Sequence, residues 1–402
     1  MKITVIGQGY VGLPLAFHAA KSGYEVVGFD VNPKLVSDLN NGKSHIKDIS
    51  DSDLSEIIQM GTYTATNNPK NIGNADIALI AVPTPLTENR EPDLSFIESA
   101  CDVLAKNLTK SALIINESTS YPGTLRNLIA KRVDAKSPVL HRFAISPERV
   151  DPGNAEWGIE NTPRLYAGLT REAAVETQIF YAKFCENLIE VSSPEVAEAA
   201  KLFENSFRQV NIALVNELAL ISSTLGISVR EVLEAANSKP YGFMKFNPGL
   251  GVGGHCIPVD PTYLAFAAKN SGTRAAFIEL ANEVNLEMPE RIAERIKKEN
   301  GGSLAGKKIL VCGISYKRDI ADVRESPSIK LIEVLEKEKA AVSWYDPVVK
   351  NWSDNESCEP LTNSYDITVL AMAHSNMDLV KISKSSPYIF DCVGLIDSAH
   401  QL

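Results

Sequence analysis

Along the first 190 residues of the chain, short runs of apolar, often β-branched residues alternate with stretches of helical period. "KITVIG", "EVVGFD", "DIALIAVP", "ALIINES", "RFAISPE" and "NLIEVS" read as strands, and strands spaced by helical text imply βαβ units closing a parallel sheet. The texture changes at residue 194. From 194 to 225 apolar positions fall at helical spacing, Pro194 suits a first turn and Gly226 stands just past the end, which predicts one long helix. Further helical text at 228–237, 260–271 and 275–298 makes the middle of the chain helical. The polar, glycine-rich "KENGGSLAGKK", 298–308, reads as a linker. Beyond it "KKILVCGI", "AAVSWYD", "DITVLAMA" and "YIFDCV" are strands, and "SPSIKLIEVLEKEK" is a helix with Pro327 in its first turn. The expected class is α/β in three parts: 1–193, a helical 194–298, and a second α/β part over 299–402.

Composition narrows the setting. A hydrophobic share of 44% with 22% charged residues is ordinary for globular proteins, and no run of eighteen apolar residues suggests a membrane span. The expectation is a cytoplasmic protein. Its opening "MKITVIGQGYVG" has a basic residue before an apolar stretch, but that stretch is short and broken by glycine, so it reads as a strand and not a leader. A formal net charge of -10 argues against a nucleic-acid surface, which demands clustered Lys and Arg. Small anionic ligands stay open, since helix N-termini and a few basic side chains suffice for them. The six cysteines lack C-x-x-C spacing, so neither a disulfide framework nor a zinc site is expected. Cys101, Cys185, Cys312, Cys358 and Cys392 sit in apolar text and read as small buried hydrophobes. Cys256 does not.

Candidate chemistry starts at Gly7, Gly9 and Gly12, spaced G-x-G-x-x-G between a strand and a helix. The first glycine permits the tight turn, the second lets backbone approach a pyrophosphate, and the third packs helix on strand. Asp30, at the end of the next strand, offers a carboxylate to ribose hydroxyls and repels a 2′-phosphate, which favours NAD over NADP; Lys34 nearby pulls the other way. "AVPTPL" and "NESTSYPGT" each follow a strand, where open α/β sheets bind ligands, so Thr84 and Thr119 are candidate contacts or simply loop-closing turns. Glu148 and Arg149 follow another strand between Pro147 and Pro152; the carboxylate is either a base for water or a solvated loop acid. On the long helix Lys201 and Asn205 share a face, with Arg208 a turn on. All three can donate to developing negative charge, or form a solvated stripe.

The densest signal is "GVGGHCIPVD", 251–260. Its glycines remove side chains so that a bulky substrate can lie against backbone near a thiol. Cys256 is a candidate nucleophile whose pKa a neighbouring ammonium such as Lys201 would depress. Asp260 is either the cap of the following helix or a base acting through water. His255 reads as a packing or hydrogen-bonding residue, since no second ligand stands at metal spacing; no metal is expected.

With these residues in hand the chain resembles the nucleotide-sugar 6-dehydrogenases, the UDP-glucose and GDP-mannose dehydrogenase family. "VIGQGYVGLPLA", "VPTP", "EST-YPGT", "SPER", "KLFENSFRQVNIALVNELA", "GVGGHCIPVDP" and "GISYKRDIADVRESP" carry the likeness in order over nearly the whole length. It implies an N-terminal NAD-binding Rossmann domain with a parallel sheet, a central helical domain that dimerises through its long helix, and a C-terminal Rossmann-like α/β domain that binds the UDP-sugar. It implies NAD contacts at Gly7, Gly9, Tyr10, Val11, Gly12, Asp30, Lys34, Pro83, Thr84, Thr119 and Arg324. Substrate contacts fall on Glu148, Arg149, Lys201, Asn205, Arg208, Phe246, Gly251, Gly253 and Lys317.

The implied reaction oxidises a primary alcohol twice with NAD. Cys256 attacks the aldehyde and later carries a thioester, Lys201 and Asn205 hold the oxyanion, Asp260 assists proton transfer, and Glu148 and Thr119 place the hydrolytic water. "SPERVDPGN" and "GGHCIPVDP" look like the branch acting on UDP-N-acetylhexosamines, with "ESTSYPGT" and "KPYGFM" leaning toward UDP-N-acetylglucosamine over UDP-N-acetylmannosamine; UDP-glucose is the further alternative. A role in supplying acidic sugars for surface polysaccharide follows. A two-electron hydroxyacid dehydrogenase and a non-enzymatic sensor of NAD and nucleotide sugar are the competing readings. Two departures stand out: "PRLYAGLT", 163–170, lacks a double glycine, and Val393 replaces a frequent arginine.

Overall fold

A computed structural model describes residues 1–151, 154, 156–360 and 364–402. Pro152, one of the two prolines framing Glu148 and Arg149, lies outside the described residues. The chain forms two compact units, one of residues 1–204 with 266–273, the other of residues 205–265 with 274–402.

The first unit is built on an eight-stranded sheet of order β3-β2-β1-β4-β5-β6-β7-β8. The strands are β1 (Lys2–Ile6), β2 (Glu25–Phe29), β3 (Tyr63–Thr66), β4 (Ile77–Ile80), β5 (Leu113–Asn116), β6 (Arg142–Ile145), β7 (Arg164–Gly168) and β8 (Leu188–Glu190). Its helices are α1 (Gly12–Lys21), α2 (Pro33–Asn40), α3 (Asp51–Gln59), α4 (Ser95–Asn107), α5 (Lys131–Lys136) and α6 (Arg171–Tyr181). Both faces of the central strands are covered, which explains their unbroken apolar text. Ile3, Val5, Ile77, Leu79, Leu113 and Ile115 enter one core, while their alternates Ile6, Ala78, Ile80 and Ile114 enter the other. The first six strands pair in parallel in the doubly wound order, with the topological switch between β1 and β4.

Two strands were not legible in the apolar pattern. β3, "YTAT", is made of β-formers without a long apolar run, and β7, "RLYAG", opens on an arginine. β7 is the one exception to the expected parallel pairing among the described strands of this sheet: it pairs antiparallel with β6, Ile145 opposite Ala167. No helix occurs among the described residues of 146–163, and without a crossover element the chain returns in the opposite sense. The missing double glycine is explained at the same strand. A Cβ on Gly168 would meet Ala174 N at 2.4 Å, so glycine is required there, whereas Ala167 is simply a buried strand methyl.

The long helix is α7 (Pro194–Leu225), bounded as the sequence predicts, followed by α8 (Val229–Asn237), α9 (Asp260–Asn270) and α10 (Ala276–Glu299). The second unit's sheet comprises β9 (Lys308–Cys312), β10 (Ala341–Tyr345), β13 (Ile367–Leu370), β14 (Tyr388–Asp391) and β15 (His400–Gln401), in order β10-β9-β13-β14-β15. A small hairpin of β11 (Asn351–Trp352) and β12 (Asn355–Glu356) and the helices α11 (Pro327–Lys337) and α12 (Leu379–Ile382) complete it. Val215 and Ala219 of α7, Val229 and Leu233 of α8, and Met288, Ile292 and Ile296 of α10 share one core with Ile309, Val311, Ile367 and Val369 of the sheet. Among the described residues no helix is long and apolar enough to cross a membrane.

Candidate functional site

The three glycines after β1 separate by what surrounds them. Gly7 holds φ +90°, and a Cβ there would lie 2.3 Å from the Ala81 carbonyl oxygen; a Cβ on Gly12 would lie 1.8 Å from the Gly7 carbonyl oxygen. Both are consumed by protein packing. A Cβ on Gly9 would meet nothing within 4 Å, so its bare backbone faces open space at the switch point, where a pyrophosphate is expected. Asp30 accepts from Gln8 N and Asn32 N, each at 2.9 Å, one on each oxygen. A carboxylate has about four acceptor sites, so capacity for ribose hydroxyls is left. These residues fit NAD. Tyr10 and Lys34 are exposed, Val11 is half-buried, and the Asn32 side chain caps α2 through Lys34 N and Leu35 N.

The next two strand ends are tied together. Ser118 Oγ accepts from Val82 N at 2.9 Å and donates to the Val82 carbonyl oxygen at 2.9 Å, fixing the loop that carries exposed Pro83 and buried Thr84 against the one carrying half-buried Thr119. That second loop is held by a residue the sequence did not single out. Glu198 on α7, 1% exposed, accepts from Gly123 N at 2.6 Å, Leu125 N at 3.0 Å and Ser120 Oγ at 3.1 Å. Burial pushes its carboxyl up to about 7, against the pull of those donors.

Glu148 is not a solvated loop acid. Its Oε1 accepts from Arg149 N and Val150 N, both at 2.7 Å, and its Oε2 receives Arg164 Nη2 at 2.9 Å. The Arg149 side chain is engaged by Glu204, Nη2 to Oε1 at 2.6 Å, and by the Pro163 carbonyl oxygen at 2.7 Å. Lys201 is half-buried and its charge reaches Glu148.

In the second unit Cys256 is exposed, unlike Cys101, Cys185, Cys312 and Cys392, which are buried. Cys358 departs from the expected burial, being half-buried with its thiol 3.1 Å from the Trp344 carbonyl oxygen. The backbone carbonyl of Cys256 accepts from Asp260 N at 2.9 Å, so the thiol stands at the head of the turn leading into α9. Asp260, 2% exposed, accepts from Asn205 Nδ2 at 2.7 Å. Arg208 is exposed, and Phe246 meets Phe207 edge-on with ring centroids 6.0 Å apart.

The neighbouring glycines are bare for a reason the sequence did not give. Cβ atoms on Gly253 and Gly254 would lie 2.7 and 2.5 Å from Tyr316, and one on Gly251 would lie 2.4 Å from the Asn285 carbonyl oxygen. The segment therefore packs directly on Tyr316 and α10, with Gly254 N bonded to the Arg324 carbonyl oxygen at 3.0 Å. The Arg324 side chain lies on Asp322, Nη2 to Oδ2 at 2.6 Å, and Lys317 is half-buried. His255 has a pKa lowered by burial, with Arg324 adding to the effect, and no cluster of metal-ligating side chains occurs among the described residues.

This unit repeats the first unit's switch-point construction with one difference. Gly313 follows β9 with φ +84°, its N bonded to the Tyr345 carbonyl oxygen at 2.8 Å, as Gly7 N is bonded to Phe29. Asp346 stands after β10 where Asp30 stands after β2. It accepts from Ile314 N, Ser315 N, Val348 N and Val349 N and contacts His374 Nε2 at 3.1 Å. That carboxylate is saturated, so this crevice lacks the free acceptor a dinucleotide ribose would use. Val393 donates its N–H to Asp391, and Arg230 Nη2 reaches the Cys392 carbonyl oxygen at 3.3 Å beside it.

Residues 1–185 match the model of the UDP-glucose/GDP-mannose dehydrogenase family, NAD binding domain, residues 195–287 that family's central domain, and residues 310–398 its UDP binding domain. A UDP-N-acetyl-D-mannosamine dehydrogenase of Pyrococcus horikoshii is 36% identical over 93% of this chain and 90% of its own. A UDP-N-acetyl-D-glucosamine 6-dehydrogenase of Pseudomonas aeruginosa is 32% identical over 99% and 97%. A solved UDP-D-ManNAc dehydrogenase structure from Pyrococcus horikoshii superposes with TM-score 0.89 at 33% identity, covering 98% of this chain and 96% of that one.

Proposed function

The chain belongs to the UDP-glucose/GDP-mannose dehydrogenase family and is an NAD-dependent oxidoreductase, and on that premise we propose that it oxidises the C6 hydroxyl of a UDP-N-acetylhexosamine to the uronic acid through a thioester on Cys256. The observation that carries this reading is the exposed thiol at the head of α9 with the buried Asn205–Asp260 pair one turn on.

NAD, when bound, takes up the hydride in each of the two oxidations. Gly9 and Asp30 would hold its pyrophosphate and ribose, and Pro83, Thr84 and Thr119 would supply further contacts from the strand ends. Once the alcohol has become an aldehyde, the Cys256 sulfur adds to its carbonyl carbon, giving a thiohemiacetal whose oxyanion Lys201 and Asn205 stabilise by charge and hydrogen bonding. Loss of the second hydride makes the thioester. Water assisted by Glu148 then adds to the thioester carbonyl, the thiolate leaves, and the carboxylate is released. Asp260 relays protons through water, and Lys317 and Arg324 supply positive charge for phosphates. The motifs favour UDP-N-acetylglucosamine, while the relatives' names include both the gluco and manno epimers, so the assay carries both. Purified enzyme should form two NADH per uronic acid with one of these and far less with UDP-glucose or GDP-mannose. One NADH per sugar, or turnover of GDP-mannose alone, rejects the proposal.

The partner surface is a second copy of the chain. Phe203, Phe207, Leu214, Ile221 and Leu225 are all exposed along α7, Leu214 at 60%, and an apolar stripe of that length on one helix fits a self-complementary contact. Light scattering at micromolar concentration should give the mass of a dimer, and Leu214→Glu should halve it. A monomeric wild type contradicts this.

A further inference from the structure

Beneath the Glu148 turn two carboxylates share one guanidinium. Arg164, at the start of β7 and 4% exposed, donates through Nη1 to both oxygens of Glu117, at 2.9 and 2.8 Å, and to Ser146 Oγ at 3.0 Å. Its Nη2 goes to Glu148 Oε2 at 2.9 Å. Tyr181 of α6, fully buried, donates its hydroxyl to Glu117 and sets its ring 4.7 Å from the guanidinium carbon. Nothing in the catalytic reading uses Glu117, Arg164 or Tyr181.

A buried arginine is costly to desolvate, and an ion pair of this kind is weak grounds for stability. Two buried anions on a single cation cost more still, because the cluster then carries a net negative charge in a low dielectric. Such a set resolves by keeping a proton on one acid and none on the other, the arrangement that separates the roles of paired carboxyls in acid–base sites. Each acid accepts three hydrogen bonds from the described residues, so depth of burial and the backbone donors decide which one ionises. Glu148 has two backbone N–H donors and Arg164. Glu117 lies deeper, its side chain 0% exposed against 13% for that of Glu148.

We propose that Arg164, carried by the Glu117–Tyr181 pair, is a positioning residue for Glu148, fixing the orientation of that carboxylate and keeping it ionised for thioester hydrolysis. The inference rests on the reading of Glu148 as the group that assists water. The charge pattern agrees. Burial pushes Glu117 up to about 7 against the pull of Arg164, with Glu148 adding to the rise. Burial pushes Glu148 up too, but Arg164, Val150 N and Lys201 outweigh it and leave its pKa below the usual value. Of the other titratable groups that feel the Arg164 charge, burial raises Cys185 to about 11 and Tyr181 well above its ordinary value, and lowers His18 on α1.

The sign follows. Glu148 must be ionised, so hydrolysis is lost as pH falls through its depressed pKa. Removing the Arg164 charge lets burial dominate and moves that acid limb upward. The test is release of uronic acid by the full-length enzyme in single turnover with NAD and the UDP-sugar, followed against pH. Arg164→Gln should raise the acid limb by about one pH unit or more and slow release about 10-fold, while the KM values for NAD and UDP-sugar change less than about 3-fold; Arg164→Lys should move the limb back. Should Arg164→Gln fail to fold, Glu117→Gln serves: as a neutral copy of the protonated acid it should keep the acid limb and remove the inflection near neutral pH that titration of Glu117 is expected to give wild type. An acid limb unmoved in Arg164→Gln, or a Glu117→Gln profile identical to wild type, overturns the proposal. Glu148→Gln separates the two levels: if it releases product at the wild-type rate, the underlying reading of Glu148 fails, whereas a blocked Glu148→Gln with an unshifted Arg164→Gln sinks only the role of Arg164.

Discussion

Cys256→Ala should still bind NAD and UDP-sugar but lose uronic acid formation by about 1,000-fold or more, the scale on which removing a covalent nucleophile acts. The first oxidation needs no thiol, so a small burst of NADH is expected, at most one per active site. The aldehyde's own hydrate gives a slow residual route to the acid. No comparable loss is expected from Cys358→Ala, whose thiol is half-buried on Trp344 and Tyr365, and that contrast separates chemistry at Cys256 from general damage. Full acid formation by Cys256→Ala would remove the thioester from the mechanism and leave the family assignment standing without it.

The second large effect divides the glycines after β1. Gly9→Ala should unfold within about 0.5 kcal/mol of wild type, since its methyl enters open space, yet bind NAD about 100-fold more weakly, because that space is where the pyrophosphate approaches. Gly12→Ala should fail differently. Its methyl would sit 1.8 Å from the Gly7 carbonyl oxygen, so helix and strand must move apart, at a cost of about 3 kcal/mol in stability along with the loss of NAD binding. Urea unfolding and NAD fluorescence titration of the two variants decide it. Equal destabilisation of both variants would mean the space at Gly9 has another use.

The frame of the molecule was legible because its signals are local. The ends of α7 follow from a proline and a glycine, and the doubly wound half from strands buried on both faces between helical text. β3 and β7 escaped because neither shows an apolar run, and β7's direction depends on a segment that has no crossover helix among its described residues. The candidate site was legible as motifs and not as contacts. "NESTSYPGT" pointed to Thr119, yet its Glu117 has the stronger environment, and a carboxylate directly after "ALIIN" was the available signal. Its partner Arg164 lies 47 residues on, a pairing only the fold can make. Likewise the glycines at 251–254 looked like room for a substrate; much of that room is taken by Tyr316 and Asn285, which seat the loop that presents the thiol.

The most direct measurement is the intact mass of Glu148→Gln quenched during turnover with NAD and UDP-N-acetylhexosamine. The account predicts a protein heavier by the substrate less four hydrogens, with the added mass on the peptide containing Cys256 and sensitive to hydroxylamine. An unmodified protein that has nevertheless produced two NADH per sugar would contradict it.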